Sequence, residues 1–391
     1  MNIGILLIGI NNNANSIGGA ERFFADFFDL YQKHQSSRNN LFFITDVQSL
    51  ETLRQLKKIN NPEKVILLKE VSNRFKSVTE GIDFIIKTRK LDIVHISNYG
   101  RNYLARLKFL NNLPNFFRPA LVLNIVDAEL SYTLEKGIEP RYSEYKLRYS
   151  PLFEKINLSG VYSWYLHFKT CADKNKWINS DPYIENINSR FSAISSRLNL
   201  SLQKNNEFVF ASRLIPQKRP FFFLEGVKLL REMITTVDFD EWRFSIYGKG
   251  PAENDLKEYI KNNNLNNSVS ISSVSDLNDI LSKSKCFVST MDFENFPSQS
   301  MNEAMAAGNA IIARNLGQTN YFVKDKENGF LLNPDNPKGL AEAMKYYIEH
   351  PEIHKRMSDE SIRLTKEVHT PENFIKQTDL FWEKVLKKKG N

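Results

Sequence analysis

Short apolar runs alternate with amphipathic segments along most of the chain. The first half reads IGILLIGI, AERFFADFFDLYQ, LFFITD, KVILLKE, GIDFIIKTRK, DIVHISN and ALVLNIVD. Runs of four to eight residues that are apolar throughout fit strands buried on both faces, and the segments between them carry helical spacing. The succession therefore predicts β-α-β units around a parallel sheet. From about Ser131 to Asn188 the pattern turns irregular and rich in Tyr and Trp, which reads as an insertion or an acceptor-facing region. A polar stretch, Asn199 to Asn206, suits a linker. The alternation then restarts with EFVFASRL, PFFFLEGVKLLREM, WRFSIYGKG, ENDLKEYIKNN, VSISSV, DLNDILSKS and KCFVST, and closes in the amphipathic helices GLAEAMKYYIEH and NFIKQTDLFWEKVLKKK. Two α/β domains are expected, residues 1–202 and 203–370. Ligands of such sheets bind outside the carboxyl ends of the strands.

Composition narrows this picture. At 391 residues the chain is long for one core and fits two. Its 41% hydrophobic content excludes disorder. Two isolated cysteines, Cys171 and Cys286, make neither a disulfide framework nor a thiolate zinc site, which fits a reducing, cytoplasmic setting. MNIGILLIGI has the length of a signal h-region but no basic flank or small-residue cleavage site, and it reads as the first strand. No segment approaches the roughly 18 apolar residues of a membrane span, so the protein is expected to be soluble or peripheral. The net charge of +8 is compatible with nucleic acid, anionic lipid, anionic substrates or an ordinary solvated surface, and charge alone does not choose.

Chemistry concentrates at predicted strand ends. DFENFPSQSMNEAMAAG, Asp292 to Gly308, places carboxylates on both sides of a helix start. Free N–H groups there favour anions, and carboxylates accept hydrogen bonds from sugar hydroxyls, so the run suits a sugar carried on a diphosphate. Glu303 has a second reading, because Ser300-Met301-Asn302-Glu303 matches an S-x-x-E capping box. In ASRLIPQKRP, Arg213 and Lys218 are two cations on one turn, able to close on a diphosphate or to be a solvated loop. Gly248 and Gly250 end a strand and could admit a nucleotide or form a plain turn; there is no third glycine of a dinucleotide fingerprint. Gly18 and Gly19 sit between the first strand and its helix, with the same two readings, and no P-loop ending follows. His95 closes the strand DIVH, where a polar-ligand role on the acceptor side competes with that of a buried core histidine. Asp238-Phe239-Asp240 spells DxD but stands apart from the other motifs. No His or Cys cluster has metal-ligand spacing, and no metal site is expected.

Taken in order, IGGAER, ASRLIPQKRP, IYGKGP and ENFPSQSMNEAMAAG resemble the retaining family 4 glycosyltransferases of the GT-B fold (glycosyl transferases group 1), over nearly the whole chain. The resemblance implies two Rossmann-like doubly wound domains facing a cleft, with a C-terminal helix at about 371–391 packing back on the first. It implies that Arg213 and Lys218 hold the donor diphosphate and that Gly19 approaches it from the first domain. Backbone N–H groups around Ser298, Gln299 and Ser300 would touch phosphate or sugar, Glu303 would accept from the ribose, and Glu294 would contact the transferred sugar. The implied activity is a metal-independent, hexosyltransferase-type transfer, with retention, from a nucleotide diphosphate sugar (UDP-sugar or GDP-sugar) to a saccharide or lipid-linked saccharide in cell-surface polysaccharide synthesis. No cofactor beyond the donor is implied, and the site of action would be the cytoplasm, with contact at the anionic inner face of the membrane and no nucleic acid partner. Two departures stand out. Glu294 and Glu303 are separated by one residue more than the family's usual spacing, and Val126 precedes Asp127 where many relatives carry a histidine, leaving Asp127 to orient the acceptor. The rival readings are a GT-B sugar-nucleotide epimerase and a nucleotide-sugar-binding protein with weak catalysis.

Overall fold

The structure, a computed structural model, describes all residues except 11–18, 35–37, 57, 69–77, 98–100, 115–116, 126–148, 166–167, 171–180, 188, 190, 192–202, 235–238, 275, 293–297, 334 and 391. The chain divides into two compact units, Met1–Ser189 with Pro371–Asn391, and Arg190–Thr370. Each is built on one parallel sheet, as the continuous apolar runs predict.

In the first unit the strands are β1 (Asn2–Leu6), β2 (Asn40–Asp46), β3 (Val65–Leu68), β4 (Ile93–Ile96), β5 (Ala120–Ile125), β6 (Gly160–Ser163) and β7 (Tyr183–Asn186). Among the described residues their order is β3-β2-β1-β4-β5-β6-β7. β6 and β7 lie inside the stretch read from sequence as irregular. Each is only four residues long, too short for periodicity to register against the surrounding aromatics. The helix Pro371–Gly390 belongs to this unit. It buries Phe374 against Phe23 and Phe27, and its Asp379 accepts hydrogen bonds from Tyr31 (2.6 Å) and Asn39 (2.8 Å).

The second unit holds β8 (Asn205–Ala211), β9 (Arg243–Tyr247), β10 (Val269–Ser272), β11 (Ser284–Ser289), β12 (Ala310–Arg314) and β13 (Gly329–Leu332), in the order β10-β9-β8-β11-β12-β13 among the described residues. The helices Pro220–Met233 and Pro337–Glu349 supply Phe223, Val227, Leu230, Leu340 and Met344 to the core beneath Phe208, Phe210, Phe244 and Ile246. β12, β13 and the helix Glu352–Val368 add to the elements read from sequence. AIIAR is hidden behind the small-residue run AMAAG, and the helix after Pro351 is strongly polar on its outer side. In both sheets the strand order reverses beside the first strand of the unit, at β1/β4 and at β8/β11. Crevices at such reversals are where doubly wound sheets bind ligands.

Candidate functional site: the strand-order reversal of the second unit

Three segments meet at the carboxyl ends of β8 and β11. The chain leaves β8 through Ser212, whose N–H donates to Tyr247 O (3.0 Å), and Leu214, whose N–H donates to Lys249 O (2.9 Å). It then forms a one-turn 3-10 helix, Pro216–Lys218. Arg219 follows with φ 48° and ψ 54°, a left-handed conformation rare for a side chain other than glycine. Thr290, just past β11, holds that turn by donating its hydroxyl to Lys218 O (2.9 Å) and Arg219 O (3.0 Å). Strained backbone retained by specific bonds is a common mark of functional loops.

The glycines of IYGKG have a purpose the motif alone leaves open. A Cβ on Gly248 would lie 1.9 Å from Ser212 O, and one on Gly250 would lie 2.3 Å from Leu214 O. Both are glycine because the backbone of the Arg213 loop packs directly on them. They set the position of that loop.

The two cations differ in environment. Arg213 is exposed, whereas Lys218 is largely withdrawn from water. Burial, with the Arg213 guanidinium as a smaller cause, lowers the Lys218 ammonium to about 8. Among the described residues its polar contact is a neutral one, donation to Met291 Sδ at 3.0 Å. Among the described residues Lys218 is thus a largely withdrawn cation whose polar contact is a thioether, an arrangement that an arriving anion stabilises.

Beside it, Asp292 donates its N–H to Gln217 O (3.0 Å), and its carboxylate pairs with Arg219 Nε and with a guanidinium nitrogen of Arg314, both at 3.3 Å. Arg314 also forms a two-pronged pair with Asp335, at 2.7 and 2.6 Å. Arg314, Asp335, Met291 and Thr290 were not singled out from sequence. Each is an ordinary residue whose contact lies far along the chain, and no local motif flags it.

The third segment is the helix Gln299–Ala306. Its N-cap is Ser298, whose side chain accepts from Met301 N (3.3 Å). It ends in a Schellman turn, with Gly308 N donating to Met305 O, Asn309 N to Ala304 O, and Gly308 at φ 72°. The start lies two residues earlier than the capping-box reading requires. With Ser298 as the cap, the third helical position is Met301, and Glu303 falls in the second turn. The capping role for Glu303 is therefore corrected: it sits one turn on from Gln299, which donates to it at 3.0 Å. Ser298 is buried and Gln299 and Ser300 are half-buried, at the N-terminal end of that helix.

The remaining sequence candidates fall elsewhere. Glu294, Asp127 and Gly18 lie outside the described residues. Gly19 opens the helix Gly19–Lys33 in the first unit. His95 is fully buried, with Phe24, Tyr162 and Trp382 around its ring and Tyr162 Oη 3.1 Å from Nε2. Burial lowers it to about 3. The acceptor-side reading of His95 is corrected to that of a neutral core histidine, covered by two helices of its own unit. Asp240 of the DxD sequence accepts from Ser268 Oγ (2.7 Å), a local structural bond. Among the described residues no group of three His, Cys, Asp or Glu side chains could hold a metal ion, and no helix is long and apolar enough to cross a membrane.

Known proteins share part of this sequence and its fold. Residues 195–363 match the family model for glycosyl transferases group 1. An uncharacterized glycosyltransferase of Haemophilus influenzae is 28% identical over 192 residues, 48% of this chain and 53% of that protein. The Escherichia coli UDP-Gal:alpha-D-GlcNAc-diphosphoundecaprenol alpha-1,3-galactosyltransferase is 32% identical over 145 residues, 36% of each chain. The chain thus spans about half the length, or less, of these two curated relatives. In three dimensions it superposes on Anabaena HepE, solved with UDP and glucose, with TM-score 0.70 and 15% identity over 96% of this chain and 98% of that one. The pneumococcal O-GlcNAc transferase GtfA, solved with UDP and GlcNAc, gives TM-score 0.70 and 12% identity over 99% of both. At these identities the shared property is the fold, the two-unit α/β fold expected from the sequence. Residues 195–363, which hold the crevice just described, are thus similar to the glycosyl transferases group 1 family, a likeness that spans 169 of the 391 residues.

Proposed function

We propose that this protein is a retaining glycosyltransferase that uses a nucleotide diphosphate sugar. The observation that carries the reading is Lys218, largely withdrawn from water beside Arg213, with the Met291 thioether as its polar contact among the described residues, at the strand-order reversal. A leaving diphosphate supplies the two negative phosphates that this pair lacks. The ammonium acts as a point charge, the guanidinium as a planar fork, and the N–H groups at Ser298, Gln299 and Ser300 add the positive end of the helix dipole. Charge already fixed in place stabilises the departing nucleotide without reorganisation as the glycosidic bond to phosphate breaks. In this reading Glu303 accepts from the ribose and Glu294 contacts the transferred sugar, while Gly18, Gly19 and Asp127 serve from the first unit, Asp127 orienting the acceptor. Gly248 and Gly250 act on the donor by placing the Arg213 loop.

The donor is a UDP-sugar in the first instance, supported by the UDP held by HepE and GtfA, with GDP-sugar as the other choice. The acceptor is a saccharide or lipid-linked saccharide of cell-surface polysaccharide synthesis, supported by the name of the Escherichia coli relative. Transfer is metal-independent, of hexosyl type, and takes place in the cytoplasm or at the inner face of the membrane. The test is a thermal-shift screen of nucleoside diphosphates and their sugars, followed by transfer assays with and without chelator. Stabilisation by one nucleoside diphosphate, with anomeric retention in the product, is the expected result. Conversion of the donor to an isomer without an acceptor would instead identify an epimerase, and donor binding without transfer or hydrolysis would identify a binding protein.

A further inference from the structure

We propose that Arg314 and Asp335 are a positioning pair that sets the Lys218 ammonium in place for the donor diphosphate, acting through Met291 and Asp292. This rests on the donor-site reading above. Arg314 is the last residue of β12, two strands from β8, and its side chain is only 12% exposed. Its fork grips both oxygens of Asp335, at 2.7 and 2.6 Å. The remaining terminal nitrogen donates to Met291 O at 3.0 Å and to Asp292 Oδ1 at 3.3 Å. One planar group therefore fixes the three-residue segment after β11 from one side.

The same segment is tied to the Lys218 turn from the other side. Thr290 bonds the carbonyls of Lys218 and Arg219, Met291 Sδ receives the Lys218 ammonium, and Asp292 binds both Gln217 O and Arg219 Nε. Rigidity thus passes from Asp335 to Arg314, then to Met291 and Asp292, and then to Lys218. Arg314 is largely buried and Asp335 partly exposed, so the pair is not a freely solvated one. Its additional bond to a backbone carbonyl gives it another effect, which is to place Met291. The thioether orients the ammonium without neutralising it, so the full charge remains for phosphate. Arginine is required because five donors in a rigid plane bind Asp335 and Met291 at once, and lysine has no such fork.

The variants are Arg314→Met, Arg314→Lys and Asp335→Asn, with Lys218→Met as the reference. Binding of UDP or GDP, whichever the wild type binds more tightly, is measured by titration calorimetry from pH 7 to 10, with thermal unfolding in parallel. Loss of positioning should weaken nucleotide binding about tenfold or more in both Arg314 variants, in line with the cost of misplacing a binding group by an ångström. The pH at which affinity falls should rise above about 8 as Lys218 swings toward water, and Tm should change by only a few degrees. Asp335→Asn should shift both in the same direction by less, and it keeps the test open should Arg314→Met fail to fold. Wild-type affinity and pH midpoint in Arg314→Lys would show that charge alone matters and overturn the proposal, as would an unchanged midpoint in Arg314→Met. If Lys218→Met itself binds nucleotide normally, the donor-site reading fails; if it loses binding while the Arg314 variants keep it, only the positioning pair fails.

Discussion

Nucleotide binding should take up a proton above pH 8, and the size of that uptake follows from Lys218. In the free protein burial and Arg213 lower this ammonium from 10.5 to about 8. A diphosphate brought against it favours the charged form and returns it toward or above its ordinary value. Below about pH 7 the lysine is already protonated in both states and nothing is taken up. At pH 8 about half a proton should be absorbed per site, and at pH 9 about 0.9, while the dissociation constant rises roughly tenfold per pH unit. The terminal phosphate of the nucleotide, with its second ionisation near about 6, is fully charged throughout this window and does not contribute. Calorimetric titrations in buffers of different ionisation enthalpy report the uptake directly. An uptake of zero at pH 9, or one that survives in Lys218→Met, would refute both the assignment of the proton and the picture of a withdrawn cation waiting for phosphate.

Four further outcomes are expected. The unfolded chain binds the Lys218 proton more tightly than the folded chain between about pH 8 and 10.5, so the charged lysine costs stability most fully below pH 8. Lys218→Met should therefore raise Tm at pH 7 by roughly 3–6 °C, about 1–2 kcal/mol, while abolishing transfer, and an unchanged or lowered Tm would count against this. Arg213→Ala should cut transfer about a hundredfold, measured as kcat/KM, since it removes half of the charge offered to the leaving diphosphate. Ser298→Ala should cost about 1 kcal/mol in a urea melt whereas Glu303→Gln should cost under about 0.5, the reverse of what a capping-box glutamate would give. His95 is neutral in the fold at about 3 and binds a proton near 6.5 when unfolded, so it should make stability fall as pH drops from about 6.5 toward 3. That slope should flatten in His95→Phe, and transfer at neutral pH should be kept.

Much of the second unit was legible in the linear pattern. Continuous apolar runs such as ALVLNI and EFVFA could only be strands covered on both faces, and their alternation with amphipathic segments implied parallel sheets. The Arg213 and Lys218 turn and the run before Gly308 marked the ends of two such strands. These signals are local: periodicity, turn residues and caps depend on neighbours a few positions away.

What the sequence left open depended on contacts across long separations. It offered Ser300 as the cap in a capping box with Glu303, whereas Ser298 caps the helix and Glu303 stands in its second turn. It could not say whether His95 faced solvent, because the helix Pro371–Gly390, from the far end of the chain, is what covers it. Gly248 and Gly250 could admit a nucleotide or form a plain turn, and only the fold shows the backbone from Ser212 to Leu214 packed on them. Arg314 and Met291 carried no signal at all. By itself the sequence determined the two parallel-sheet units and the two cations of the candidate donor site. The tertiary structure alone decided how exposed and how firmly held those cations are, because a charge's solvation and a side chain's anchorage are set by whatever the fold brings beside them.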